Sequence, residues 1–377
     1  MVEQVFGRDR LTFGVEEEFL LADADTRVAA ARCDQVVSAA RPDLGDQIES
    51  EFYLTQLEIR SRPHDNADEL RRDLARCRRA AVRAAAAEKC LVVASPCAVL
   101  TRRPLPIRNY GRYLRIAEHL GPVLTAADCE ISGCHVHLGS LGRGDALALS
   151  VGLRPWLPVL QALTANSPFA AQEDTGWASR RGYTYGRWPT VGPAPVLDED
   201  GYDKCVEELV STGVILDRAM LYWYARPSER HPTLEIRVAD VNGDLDTTVL
   251  LAVLLRALAT VLLAEADRGR ATLALDDARL AENHHRASRQ GLAARLFDPA
   301  TGADQPVPAL LDALVERAGP ALESLGDLPF TAATLHRLLR GGNGADRQRA
   351  VYAHTGSWTN LVDHLARETA AVDDQDT

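Results

Sequence analysis

Residues 13–22, FGVEEEFLLA, form the stretch that decides the fold. A run of three acids is commonly a solvated surface, but the flanking Phe13, Val15, Phe19 and Leu20 suit a buried β-strand. Alternate residues of a strand project from the same face. We therefore expect Glu16 and Glu18 to face one side of a sheet together, while Glu17 points away from them and has a structural role.

Three other stretches repeat this two-residue spacing with other chemical groups. They are EFYLTQLEIR at 51–60, SGCHVHLG at 132–139 and TLEIRVAD at 233–240. The paired side chains are Glu58 with Arg60, His135 with His137, and Glu235 with Arg237. One face of a sheet would thus carry several anions, two imidazoles and at least two guanidiniums, which is costly unless cations or anionic ligands compensate the charges. The four stretches together predict a metal-and-phosphate site.

Each pair also has a plainer interpretation. His135 and His137 could be core histidines bonded to backbone carbonyls, and a His-x-His strand can also hold zinc with a carboxylate. Glu235 and Arg237 could be an ordinary ion pair within a sheet. The prediction of a site rests on the coincidence of all four stretches.

Composition narrows the classes of function. The 377 residues are 46% hydrophobic and 25% charged. The formal net charge of -11 disfavours nonspecific binding to nucleic acid or to an anionic membrane. The seven cysteines show no CxxC spacing, which argues against a disulfide framework and fits a reducing cytoplasm. The N-terminal MVEQVFGRDR has charges where a signal peptide would need an apolar segment. The apolar run 249–264 contains Arg256 and is shorter than the roughly 20 residues of a membrane span, so we predict a buried helix.

Strand-like and helix-like segments alternate along the chain. Asn66 predicts the cap of a helix that extends toward Ala94. We further predict a turn at 25–26 before 28–30 and strands at 91–95, 131–139, 220–224 and 233–238. Helices are predicted at 144–163, kinked by Pro155 and Pro158, and from 247 onward. Residues 166–195 are predicted to form an irregular functional loop. These elements predict an α+β fold, a mainly antiparallel sheet with helices on one face and the polar pairs on the other, as a single domain over 1–377 with disorder only at 373–377.

The motifs together resemble a known family, the carboxylate–amine ligases of the glutamate–cysteine ligase type 2 group, related to glutamine synthetase. The resemblance covers nearly the whole chain, in the order FGVEEEF, EFYLTQLEI, SGCHVHLG, NSPF, YGRWPTVGP, TLEIRVAD, ENHHRASRQGL and GADRQRAVY. It implies a glutamine synthetase-like curved sheet with the active site on the face opposite the helices, and an enzyme that is often a dimer.

The implied reaction is ATP-dependent amide formation, in which a carboxylate attacks the γ-phosphate and an amine captures the acyl phosphate. Glutamate and cysteine, giving γ-glutamylcysteine, are the name-giving small-molecule substrates, and related acids and amines are open. The resemblance implies that two or three Mg²⁺ or Mn²⁺ ions are held by Glu16, Glu18, Glu51, Glu58, His135 and Glu235. Hard oxygen ligands suit magnesium, and metals would bridge the anionic phosphates.

The resemblance also suggests roles for the other polar residues. Arg237 would hold the transferred phosphoryl group or a substrate carboxylate, with Arg187 as a second candidate and Glu235 beside them in catalysis. The nucleotide would be contacted by His137, Arg237, Asn283, Arg286 and Arg289. The substrate would be contacted by Asn166, Arg187 and Arg60.

Three residues near the expected substrate pocket depart from the usual pattern of the family, His285, Gln290 and Arg60. Arg60 could favour a more acidic substrate. Three alternatives stay open: a small-molecule kinase of the same superfamily that ends at phosphorylation, a zinc-dependent metallohydrolase that uses the His-x-His pair, and a non-catalytic ligand-binding descendant. The retained carboxylates argue against the last, because anions without metal would cost stability.

Overall fold

The computed structural model describes residues 10–121, 130–270, 273 and 275–372, so the predicted disorder at 373–377 lies outside it. The strands are β1 (Phe13–Asp23), β2 (Ile48–Ser50), β3 (Gln56–Arg60), β4 (Cys90–Val93), β5 (Gly133–Leu138), β6 (Phe169–Ala170), β7 (Glu173–Asp174), β8 (Ala225–Pro227), β9 (Leu234–Asp240), β10 (Arg295–Phe297) and β11 (Asp304–Pro306). The helices are α1 (Cys33–Leu44), α2 (Ala67–Ala87), α3 (Gly111–His119), α4 (Arg143–Leu153), α5 (Leu157–Thr164), α6 (Arg180–Tyr185), α7 (Glu199–Ser211), α8 (Leu245–Asp267), α9 (Asp277–Gln290), α10 (Val307–Leu325), α11 (Leu328–Gly341), α12 (Gly344–Thr355) and α13 (Trp358–Ala370).

A seven-stranded sheet lies at the centre, in the order β2-β3-β1-β5-β9-β8, and β4 pairs with the far end of β1. Every pairing in this sheet is antiparallel. The predicted α+β class with a mainly antiparallel sheet is therefore confirmed.

The alternation in β1 decides which face of the sheet is covered. Phe13, Val15, Phe19 and Leu21 are all buried, and the intervening Glu17 is buried with them. Arg78 of α2 and Thr248 of α8 both bond Glu17, which places these two helices on the Glu17 face. At the Leu20 end of β1, α13 covers the opposite face. The open part of that face is therefore the stretch around Glu16 and Glu18.

The long apolar helix α8 belongs to the core. By length and composition it could cross a membrane, but 94% of its most apolar window is buried inside the protein. Arg256, which interrupts the apolar run, is buried beside Asp327 at 2.5 Å and lies over the Phe13 ring. The predicted buried helix is confirmed, and its one cation has a carboxylate partner, as a buried charge requires.

Most predicted elements are present with shifted ends. The Asn66 side chain accepts from the amides of Asp68 and Glu69, so the predicted cap of α2 is confirmed, although the helix ends at Ala87 and β4 follows. The predicted 144–163 helix is two helices, α4 and α5, that meet at 71°. The prolines explain the break, because Pro158 occupies the first turn of α5, where its missing amide costs no hydrogen bond.

The predicted strand at 220–224 is wrong. Residues Arg218–Met220 form a 3₁₀ turn, and the strand of this region is β8, which begins at Ala225. The Thr190 hydroxyl donates to the Met220 carbonyl and accepts from the Tyr222 amide, at 3.2 and 2.8 Å. The 166–195 segment, predicted to be irregular throughout, contains β6, β7 and α6. Thr190, in its remaining irregular part, takes the bonds that a neighbouring strand would have made.

Candidate active site

The register of the sheet brings the predicted pairs together. Antiparallel pairing sets residues of neighbouring strands directly opposite each other, with side chains on the same face. Glu16 lies opposite Arg60 on β3 and His135 on β5, Glu18 opposite Glu58, and His137 opposite Glu235, which in turn faces Arg226 on β8. A bulge in the β5–β9 pairing adds one residue to β9 between Ile236 and Ala239, beside Arg237. Such bulges re-aim side chains, here next to the paired acids.

Two groups of possible metal ligands result. Glu16, His135 and Glu235 form the first cluster, and Glu18, Glu51 and Glu58 form the second. Within each cluster, one ligand atom from each residue lies within 4.8 Å of the others. All six predicted metal ligands thus fall into these two groups. Five carboxylates and one imidazole are a donor set for a hard divalent cation such as Mg²⁺ or Mn²⁺.

The second cluster is strained by its own negative charge. Burial, together with the neighbouring Glu51, raises the pKa of Glu18 to about 7. Burial and repulsion from Glu16, Glu51 and Glu18 raise the pKa of Glu58 well above its ordinary range. The protein offsets this charge only in part, through Arg181 and Arg237 near Glu18 and Arg60 near Glu58. A bound cation would relieve this repulsion.

The first cluster is compensated by the protein itself. Burial raises the pKa of Glu235, but Arg237 and Arg226 outweigh it and hold the value at about 2. Burial also opposes ionisation of Glu16, and hydrogen bonds with His135 and His137 outweigh it, so the pKa of Glu16 lies well below its ordinary range. Burial and then Arg237 lower the pKa of His135 to about 4. A neutral His135 keeps a lone pair that can bind a metal.

A cavity of about 330 Å³ lies against these clusters. One wall contains both acidic clusters, and the aromatic residues of the lining are Phe52, Tyr53, Tyr113, Tyr185, Trp188 and Tyr222. The cavity therefore combines a charged wall with aromatic rings that a planar or apolar part of a ligand could contact.

Arg237 lies deep in this cavity. Its guanidinium contacts the Glu235 carboxylate and donates to the Tyr185 hydroxyl at 3.3 Å. Arg226, on the neighbouring strand, contacts the other oxygen of Glu235 through two nitrogens, each at 3.1 Å. The two guanidiniums fix Glu235 and add positive charge next to the acidic clusters.

Other predicted residues also border the cavity. His137 approaches Glu16 at 3.4 Å through Nε2 and the Thr233 hydroxyl at 3.1 Å through Nδ1. Arg60 contacts Glu49 at 2.6 Å, so its charge already has a partner at the rim. Both residues lie where the resemblance implies a ligand, and their roles there stay predictions.

Asn166 lies outside the cavity lining and has structural partners instead. Its amide group donates to the carbonyls of Ala94 and Val241 and its side-chain oxygen accepts from Gln348. Asn166 is fully buried. The side chain therefore joins the end of β9 to α12, and the structure does not bring it to the place predicted for substrate.

The other four predicted residues also lie apart from the cavity. Arg187 is exposed and packs over the Tyr183 ring. Asn283 donates to the Phe297 carbonyl and accepts from the Phe297 amide, which fixes β10. Arg286 pairs with Glu282 and Asp304, and Arg289 lies over the Trp177 ring. In this conformation these side chains serve local packing.

Four arginines of the cavity wall were missed from the sequence, Arg112, Arg181, Arg226 and Arg230. Arg226 reaches Glu235 only because β8 pairs with β9, and the sequence pattern predicts this strand five residues too early. Arg181 is buried and donates to the backbone carbonyl of Arg237 at 3.1 Å. A β-carbon at Gly133 would collide with this guanidinium, so the glycine beside His135 makes room for Arg181.

Comparison with known proteins identifies the family of the chain. The model of glutamate–cysteine ligase family 2 matches residues 12–364. The chain is 39% identical over 366 residues to a Salinispora tropica protein named "Putative glutamate--cysteine ligase 2", with 97% of this chain and 96% of that protein covered. It is 41% identical over 362 residues to a similarly named protein of Saccharopolyspora erythraea, with 95% of each covered.

The fold is also similar to a solved structure of a glutamate–cysteine ligase from Francisella tularensis in complex with AMP. The TM-score is 0.74 at 11% identity, with 97% of this chain and 89% of that chain covered. At this identity the likeness concerns the fold alone. The sequence matches decide the family, and the chain belongs to glutamate–cysteine ligase family 2.

Proposed function

We propose that this chain is an ATP-dependent carboxylate–amine ligase that forms an amide through an acyl phosphate. The observation that carries the proposal is the placement of two acidic clusters and the Arg237 guanidinium in one cavity. Both ATP and the acid to be activated are anionic, so a site that joins them must supply cations and guanidiniums together. The names of the relatives support glutamate and cysteine as the first substrates to test.

The donor set fits two divalent cations rather than zinc. Glu16, His135 and Glu235 would hold one ion, and Glu18, Glu51 and Glu58 would hold the other. Bound Mg²⁺ or Mn²⁺ would neutralise phosphate charge as it moves. Each cluster contains at most one imidazole and no cysteine, which favours a hard ion and counts against the zinc hydrolase alternative.

The protein's own residues would orient the reacting groups. Arg237 is held by Glu235 and Tyr185 through two of its nitrogens, so the third, Nη2, can donate to the transferred phosphoryl group. Arg226 holds Glu235 from the opposite strand and keeps this carboxylate ionised for metal binding. The Arg181 guanidinium, bonded to backbone carbonyls, stiffens the strand that carries Arg237.

The remaining expectations also enter this proposal. His137 and Arg237 border the cavity and would contact ATP or the acid. Asn283, Arg286 and Arg289 would reach nucleotide only through a rearrangement of the 166–195 segment and α9. We further propose that residues 1–377 act as a single catalytic domain in the cytoplasm, where ATP is available, and that it functions as a homodimer.

A labelled-substrate assay tests the reaction. The enzyme is incubated with ATP, Mg²⁺ and pairs of acids and amines, beginning with glutamate and cysteine, and the acid carries ¹⁸O in its carboxyl groups. We expect ADP release, an amide product by mass spectrometry, and one ¹⁸O atom in the released phosphate, because the acyl phosphate transfers a carboxylate oxygen to phosphorus.

Two other outcomes would contradict the proposal. A stable phosphorylated acid without amide would show the kinase reaction. Zinc-dependent hydrolysis without ATP turnover by any pair would show a metallohydrolase. The ADP, mass and label measurements separate the three reactions in one experiment.

A further inference from the structure

The turn between β8 and β9, residues 228–233, borders the cavity and is firmly held. The Ser228 amide donates to the Thr233 carbonyl at 2.9 Å, and the Arg230 amide donates to the Ser228 hydroxyl at 3.3 Å. The Glu229 carboxylate accepts from Arg218 at 3.0 Å and from the Tyr202 hydroxyl at 3.4 Å. These bonds fix the backbone that carries Arg230.

Arg230 differs from the other arginines of the cavity. Six arginines line it in the described part of the chain, and five of them have partners: Arg60 with Glu49, Arg112 with Asp217, Arg181 with backbone carbonyls, Arg226 with Glu235, and Arg237 with Glu235 and Tyr185. Among the residues that the structure describes, none pairs with the Arg230 guanidinium, and the residue is exposed. A guanidinium at a cavity rim without a partner is available to a ligand.

The position of the turn indicates which part of a ligand it would meet. Arg226 lies opposite Glu235, and β8 ends at the next residue, so the turn continues past the row of the first cluster. A ligand whose reacting group lies at the partly buried Arg237 would reach Arg230 only with another group that extends toward the rim. A guanidinium binds a carboxylate through two parallel hydrogen bonds.

We propose that Arg230 is a specificity-determining residue that binds the non-reacting carboxylate of the acid substrate. Glutamate, the first acid to test, would then have one carboxylate activated in the cavity and the other held at the rim by Arg230. This inference rests on the proposed ligase function and adds the requirement for a second anionic group.

The test compares Arg230→Ala with Arg115→Ala in the full-length enzyme. Arg115 is an exposed arginine of α3 outside the cavity lining and supplies the same loss of charge. Steady-state kinetics are measured with glutamate, with ATP, and with 4-aminobutyrate, which keeps the γ-carboxylate but lacks the α-carboxylate. Thermal melting checks that each variant is folded.

We expect Arg230→Ala to raise KM for glutamate roughly 10- to 100-fold, the loss of a charged hydrogen-bond partner. The KM for ATP, the kinetics with 4-aminobutyrate and the Arg115→Ala enzyme should change by less than about threefold. Arg230→Lys should recover part of the glutamate affinity, because it restores the charge without the bidentate contact.

Several results would overturn the inference. An unchanged KM for glutamate, or a rise in KM for ATP alone, would place Arg230 away from the acid or on the nucleotide phosphates. Turnover by the wild type only with monocarboxylic acids would remove the second carboxylate and leave the ligase proposal intact. Absence of ADP release with every pair would overturn the ligase proposal and this inference together.

Discussion

Glutamates on the two faces of β1 have opposite electrostatic surroundings. Glu17 is fully buried on the helix face, where Arg78 contacts both of its carboxylate oxygens and Thr248 donates to one of them at 2.9 Å. Glu18, one residue later, faces the cavity among other acids, and burial and Glu51 raise its pKa to about 7. One acid is neutralised by the protein, and the next is left for a ligand to neutralise.

The difference separates structure from function within three consecutive glutamates. A carboxylate with a dedicated guanidinium supports the fold, because removing either partner leaves a buried charge alone. A carboxylate grouped with other acids costs stability unless a cation is bound, and a costly arrangement of this kind is typical of functional sites. The two residues should therefore give opposite results when they are replaced.

The largest effect should follow from Glu18→Gln. The amide keeps the size of the side chain but removes a charge from the second cluster, so we expect turnover to fall by roughly 10³-fold or more. The melting temperature in EDTA should stay the same or rise, because repulsion with Glu51 and Glu58 is reduced. ADP release and thermal melting measure the two properties. A variant with more than about a tenth of wild-type turnover would contradict a metal role for Glu18.

The next largest effect is expected from Glu17→Gln, the same substitution one residue away. Arg78 would keep the carbonyls of Asn242 and Gly243 and one amide oxygen, but would lose its charged partner and face an NH₂ group, so the free energy of unfolding should fall by ~3–5 kcal/mol. Chemical denaturation measures this loss, and a second substitution, Arg78→Met, should recover part of it. The folded fraction should retain Mn²⁺ binding. A Glu17→Gln protein as stable as the wild type would show that the ion pair does not support the fold.

A smaller effect should appear in the pH dependence of the metal-free protein. The folded pKa of Glu18 is raised from 4.5 to about 7, so the native state binds more protons than the unfolded state between these values. The stabilising contribution of protonated Glu18 is complete below the unfolded pKa and is lost as pH rises through the folded pKa, a change on the order of 3 kcal/mol.

Denaturation in EDTA at pH 5 and pH 8 measures this change, with Glu18→Gln as the control. The wild type should lose stability relative to Glu18→Gln as pH rises, and saturating Mg²⁺ should abolish the difference in slope. Parallel pH profiles of the two proteins in EDTA would show that Glu18 ionises as it does in the unfolded chain.

The alternation of β1 was enough to predict the split between Glu17 and its neighbours, because side-chain direction in a strand is a local property. The same rule placed His135 with His137 and Glu235 with Arg237. It did not show which strands are neighbours. The two clusters depend on β3, β1, β5 and β9 lying side by side, and that order comes from packing of the whole chain.

Residues outside strands were harder to assign. An asparagine can bond a ligand or a backbone carbonyl, and the choice depends on distant partners such as Gln348 for Asn166 and Phe297 for Asn283. Arg226 was missed because β8 begins later than the sequence pattern indicated. The residues before β8 do not form the predicted strand, since the Thr190 hydroxyl bonds the Met220 carbonyl and the Tyr222 amide. The local sequence pattern thus predicts the direction in which a strand's side chains point, whereas tertiary contacts decide their hydrogen-bond partners.

Binding of Mn²⁺ to the wild-type, Glu18→Gln and Glu17→Gln proteins tests most directly the claim that one face of β1 requires cations and the other does not. Electron paramagnetic resonance of free Mn²⁺ gives the number of ions bound per chain. We predict two ions on the wild type and on folded Glu17→Gln, one for each acidic cluster, and loss or marked weakening of one ion on Glu18→Gln. Equal Mn²⁺ binding by Glu18→Gln and the wild type, or no saturable binding by either, would contradict the account.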